Sequence, residues 1–84
     1  MSEDPGERAR AYLVAVEKAI NAAETINNRD ALRIVDHAKR YVADSRYFLK
    51  TGKPTTALAS VAYAEGLLDS LTILGLGDSS GTTR

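Results

Sequence analysis

The sequence predicts an all-α protein, an up-down-up three-helix bundle, and three observations carry that prediction. Apolar residues recur at helical spacing in three separate stretches. Two short breaks, at Asn27-Asn28 and at Gly52-Lys53-Pro54, divide those stretches and are too brief for anything but antiparallel neighbours. Prolines and glycines stand at the ends of those stretches, Pro5 and Pro54 where helices open and Gly52 and Gly75 where they stop. Eighty-four residues make a single domain near the size where one core is only marginally sufficient once chain entropy is subtracted.

The first helix is expected over about residues 5–26. Asp4 with Glu7 three positions on makes a capping-box pattern, and Pro5 falls at the first helical position, where its missing amide hydrogen costs nothing. Ala9, Tyr12, Leu13, Val16, Ala19, Ile20 and Ala23 form one stripe, with Glu7, Arg10, Glu17, Lys18, Asn21 and Glu24 opposite. Much of the stripe is alanine, so this helix can approach its neighbours closely but buries little apolar area per turn.

The second helix is expected over about 29–51, with Asn27-Asn28 favouring turn and N-cap geometry and Asp30 placing negative charge in the first turn. Ala31, Val35, Ala38, Val42, Ser45 and Leu49 form its stripe, widened by Ile34, Tyr41 and Phe48, and a stripe that wide faces two partners. Asp36, Arg40 and Asp44 form an i, i+4 ladder outside, while Lys39, Arg46 and Lys50 line one edge. Gly52 can take the left-handed conformation that ends this helix, with Lys53 as N-cap and Pro54 opening the third helix, over about 54–74. Its core stripe is Ala57, Val61, Ala64, Leu68 and Leu71, broadened by Leu67 and Leu74, and Gly75 is another natural left-handed end. The bundle thus spans 4–75. Residues 76–84, rich in Gly, Ser and Thr without periodicity, read as a disordered tail that adds nothing to the fold.

Asp44, Tyr47-Phe48-Leu49, Gly52, Ala57, the run Ala62-Tyr63-Ala64-Glu65-Gly66-Leu67-Leu68-Asp69, and Leu74-Gly75 resemble the archaeal domain of unknown function 357 family over the second half of the chain. The resemblance implies a small three-helix bundle of archaeal origin and implies no activity.

Composition narrows the function classes. Formal charge balances at zero and there is no cysteine, so no global field draws the protein to phosphate backbones or anionic lipid, and thiolate chemistry is absent. With no signal-peptide pattern the expectation is a cytoplasmic protein. Residues 57–76 are about long enough to cross a bilayer, but Glu65 and Asp69 sit near the middle of that stretch, where each carboxylate would cost roughly 3 kcal/mol.

Two groups of residues are candidates for function. The first is polar. Glu65 and Asp69 lie one turn apart, a spacing open to a divalent cation, while Arg33, His37, Lys39 and Arg40 lie on the neighbouring helix. The plainer reading is that Lys39 or Arg40 pairs with those carboxylates across the hairpin. His37 is the only histidine and borders the apolar stripe. With Arg33 it invites comparison with helical nucleases that carry an Arg and a His with four to six residues between them on a late helix. Three residues separate this pair and it sits on the middle helix, so spacing and position both fail. Tyr12, Tyr41 and Tyr63 fall on or beside core stripes, as buried rings with hydroxyls at the rim, whereas Tyr47 points away and would cover Arg40.

The second group is a surface. At 100° per residue, Ala59, Ala62, Gly66 and Ser70 share one sector of the third helix opposite its core stripe, with Leu58 and Ile73 near it. Mid-helix glycine costs about 1 kcal/mol against alanine, so Gly66 asks for a reason such as close approach by another helix. The reading is therefore a non-enzymatic helical interaction module without metal or cofactor, partnered by a second copy or another protein. The alternative is an RNA- or nucleotide-handling accessory or nuclease-like domain drawing on the polar group.

Overall fold

A computed structural model describes residues 4–75 and contains three helices, α1 (Pro5–Ala23), α2 (Arg29–Lys50) and α3 (Pro54–Ile73), all packed against one another. Among the described residues there is no strand. The expected fraying of Met1 to Glu3 and the expected tail at 76–84 lie outside the described residues.

Local chemistry sets each helix end. Asp4 is the N-cap of α1, and its carboxylate accepts from the Gly6 amide at 3.1 Å. Asn28 is the N-cap of α2 and its side-chain oxygen accepts from the Ala31 amide at 2.9 Å, satisfying one of the four orphan donors of a helix start. At α3 the N-cap Lys53 makes no side-chain bond, and Pro54 at the first position removes one donor that would otherwise need a partner.

Where α2 stops, Gly52 has φ 79° and the chain closes two bonds behind it. The Gly52 amide donates to the Leu49 carbonyl at 3.3 Å and the Lys53 amide to the Phe48 carbonyl at 2.7 Å, which together are the Schellman pattern. The Thr51 hydroxyl adds a bond to the Tyr47 carbonyl at 3.0 Å. Helix α1 ends differently and three residues short of the expected 26. Ile26 donates to the Ala23 carbonyl at 3.0 Å, and both the amide and the hydroxyl of Thr25 turn to the Ala22 carbonyl, so the last turn tightens to i→i+3 without a glycine.

The core is one cluster of small and branched side chains: Ala9, Leu13, Val16, Ile20 and Ala23 from α1, Ala31, Val35, Ala38 and Val42 from α2, and Ala57, Val61, Ala64, Leu68 and Leu71 from α3. Ile34, Tyr41, Phe48, Leu49, Leu58 and Leu67 are among the half-buried residues that pack around it. Helix α3 is the shared neighbour, in extensive contact with both α2 and α1, while α1 and α2 touch more lightly. A helix wedged between two others needs a wide apolar face, which explains much of the all-round apolarity of α3.

One polar side chain lies in this core. Ser45 is fully buried, and its hydroxyl donates to the Ala57 carbonyl of α3 at 2.7 Å. The bond leaves no orphaned polar atom on the serine and ties α2 to the first turn of α3 at one register. No helix among the described residues is long and apolar enough to cross a membrane.

Candidate functional site

On α3 the core residues Ala57, Val61, Ala64, Leu68 and Leu71 are buried, and the opposite face carries Ala59, Ala62 and Gly66, all exposed. Ile73 at the end of that face is 81 % exposed, the largest value among the exposed large hydrophobics of the described residues, and Leu74 beside it is 63 % exposed. A Cβ built on Gly66 would meet nothing within 4 Å among the described residues, so no packing among them calls for a glycine there. Ser70 is half-buried and donates its hydroxyl to the Leu67 carbonyl at 2.5 Å. Spending that proton on its own helix makes the residue behave as a small side chain with little claim on water. Leu58 stands apart from the other five: it packs against the core from the edge of α3, so the open face runs from Ala59 to Ile73 without it.

Tyr63 departs from its expected burial. It is 58 % exposed and lies against the half-buried Tyr41 of α2, ring centroids 4.6 Å apart and planes tilted by 60°. With Thr56, Ala59 and Ser60 the pair walls a shallow hollow along the α2–α3 seam. Tyr47 is also exposed and makes an edge-on contact with Phe48 at 5.4 Å; aromatic contacts of these kinds are ordinary rim packing.

The polar candidates do not form the pairing expected of them. Lys39 forms an ion pair with Glu24, the C-cap residue of α1, and Arg46 one with Glu17 of α1; Glu65 and Asp69 are exposed and take part in no ion pair among the described residues. The reason is directional. Lys39 and Arg46 are seven residues apart and project from the edge of α2 that faces α1, where Glu17 and Glu24 are also seven apart and run the opposite way. Two antiparallel helices with matched heptad spacing bring both pairs into register. Equal spacing of two acids on one helix and two bases on the next was the available sequence signal for this double strap. The hydrogen bond to Glu24 holds the Lys39 ammonium above its ordinary pKa of 10.5; desolvation opposes the shift, and the charges of Glu24 and Asp36 add to it.

Arg33, His37 and Arg40 are exposed on α2. Among the described residues no group of three or more His, Asp or Glu side chains comes together to hold a metal ion.

The chain matches the model of the family described as Protein of unknown function (DUF357) over residues 11–77, most of its length, and it belongs to that family. No curated protein and no solved structure matches it.

Proposed function

We propose that this member of the DUF357 family is a non-enzymatic helical assembly module, which packs the outer face of α3 against a partner, most simply a second copy of itself. The observation that carries the reading is the pairing of Gly66 with Ile73. A glycine that none of the described residues crowds occupies the middle of α3, and an isoleucine 81 % exposed ends the same face. Each is unfavourable in a lone bundle, the first by its helix propensity and the second by its exposed apolar area. Both are accounted for together when another helix lies along Ala59, Ala62, Gly66 and Ser70 and covers Ile73. Small residues at the centre let two backbones approach, and a bulkier side chain at the end supplies the apolar area. A two-fold arrangement would use the same patch on both copies.

The test is mass in solution at two concentrations, with thermal stability followed in parallel. The wild-type chain is expected to assemble as concentration rises and to melt higher when assembled. Gly66→Leu and Ala62→Glu are expected to hold it monomeric, whereas Val14→Glu, at a position 63 % exposed on α1, is expected to do neither. A wild-type chain that stays monomeric at high micromolar concentration, with both α3 variants folding normally, refutes self-association.

A further inference from the structure

The open face of α3 has two unlike flanks. On the flank toward α2, Thr56, Ser60, Tyr63, Leu67 and Ser70 recur at steps of four and three, and none is charged. Tyr63 lies there against Tyr41 of α2, and the two rings with Thr56, Ala59 and Ser60 wall a hollow of about 230 Å³. The flank toward α1 carries Glu65, Asp69 and Thr72, again at helical spacing, with Thr72 bordering the groove that α3 shares with Ala19 and Ala22 of α1. Both carboxylates are exposed, and α3 itself has no basic residue to answer them.

That asymmetry constrains how a second copy can lie on α3. Two helices related by a two-fold axis run either parallel, so that each flank meets the opposite flank of its mate, or antiparallel, so that each flank meets itself. The parallel arrangement would press Glu65 and Asp69 onto the tyrosine flank of the other copy, taking carboxylates out of water against rings that offer no cation. In the antiparallel arrangement the uncharged flanks close on each other. The acids then meet only across the far edge, where an open wedge keeps them in water and salt screens them.

The position of Tyr63 fits the second arrangement. With Gly66 facing Ala62 of the other copy, the axis crosses at the level of Ala64, so Tyr63 and its mate are offset by two residues, about 3 Å along the helices. By the same count Ile73 falls opposite Thr55. A ring left 58 % exposed beside a hollow of its own is then covered by an identical ring, and tyrosine is among the residues that contribute most when buried between chains.

Taking self-association through α3 as given, we propose that the second copy lies antiparallel and closes over the α2 side, so that the Tyr63 ring of each copy packs into the Tyr41–Tyr63 hollow of the other. Glu65 and Asp69 stay at the open, wetted edge. The contact is thus aromatic on one side of the small-residue face and electrostatically repulsive on the other.

The experiment uses the full chain, with sedimentation for the mass and a one-to-one mixture of 13C-labelled and unlabelled copies for NOEs that pass only between chains. Such NOEs are expected from the Tyr63 ring to Tyr63 and Ala59 of the other copy. Tyr63→Ala is expected to weaken association about tenfold or more, and Tyr63→Phe to leave it near wild type. The double variant Glu65→Gln, Asp69→Asn is expected to associate more tightly, by a margin that shrinks in high salt. A dimer whose interchain NOEs leave out Tyr63, or whose Tyr63→Ala variant associates as tightly as wild type, overturns the proposed direction while self-association stands; weaker association of the double acid variant overturns it too. A wild-type chain that stays monomeric at high micromolar concentration refutes both.

Discussion

Two glycines with the same empty surroundings are expected to respond to alanine in opposite directions. A Cβ at Gly52 or at Gly66 meets nothing within 4 Å among the described residues, so neither substitution adds a contact or a clash with them, and the backbone decides. Gly66 is in the interior of α3, where glycine is about 1 kcal/mol less favourable than alanine. Gly66→Ala should therefore stabilise by about 1 kcal/mol, a rise of about 4–8 °C in melting temperature for a domain of this size. Gly52 sits at φ 79°, where an L-residue pays about 1–2 kcal/mol in steric energy. Some of that is offset because alanine also restricts the unfolded chain, and Gly52→Ala should destabilise by about 1 kcal/mol, a fall of similar size. Urea and thermal melts of both variants in dilute solution, where association contributes nothing, measure the pair. A Gly66→Ala protein no more stable than wild type would show that the α3 face is not open in the monomer, and the argument from Gly66 would fail with it.

The other predictions concern the polar contacts. Ser45→Ala should destabilise by about 1 kcal/mol, measured by urea titration, because it removes a buried bond across the α2–α3 hairpin; Ser60→Ala, with no such bond, is the control. Glu24→Gln should have only a small effect on stability, and that effect should shrink in high salt, as expected of an exposed ion pair. The same pair sets a pH dependence. A lysine whose folded pKa is raised contributes stability that is fully present below 10.5 and lost as pH climbs through the higher folded value, so the difference between wild type and Glu24→Gln should vanish at strongly alkaline pH. Zinc, manganese or magnesium should leave the melting temperature unchanged; a saturable rise that Asp69→Asn or Glu65→Gln abolishes would contradict the non-enzymatic reading.

What could be read from the residues alone was whatever is decided within a few positions of chain. Three helices follow from caps and stops that act locally: Asp4 before Pro5, Asn28 with its oxygen on Ala31, and Gly52 with its two trailing bonds. Direction around a helix was legible in the same way, which is why the buried stripe of α3 could be written from spacing. The identity of the neighbour in a given direction was not. Lys39 could be placed on an edge of α2, but whether that edge meets Glu65 on α3 or Glu24 on α1 depends on how three axes are arranged, and no single wheel contains that. Leu58 and Tyr63 show the same limit from opposite sides, one drawn into the core margin and the other left 58 % exposed. Ser45 could be counted in a stripe, yet its hydroxyl finds a partner only because the Ala57 carbonyl arrives from a helix twelve residues on.

The uneven packing of the three helices bears on the order in which they come together. The α2–α3 hairpin closes across a three-residue turn and holds the densest packing together with the Ser45 bond, while α1 meets α2 only lightly, over a seam strapped by two exposed ion pairs. Contacts that are local in sequence cost the least loop entropy and form soonest, so the hairpin is expected to form first and α1 to dock onto it last. The native protein should open along the same seam in reverse. Amide hydrogens of α1 are expected to exchange through a partial opening that leaves α2 and α3 protected, and those of Val42 and Val61, in the hairpin core, only when the whole molecule unfolds.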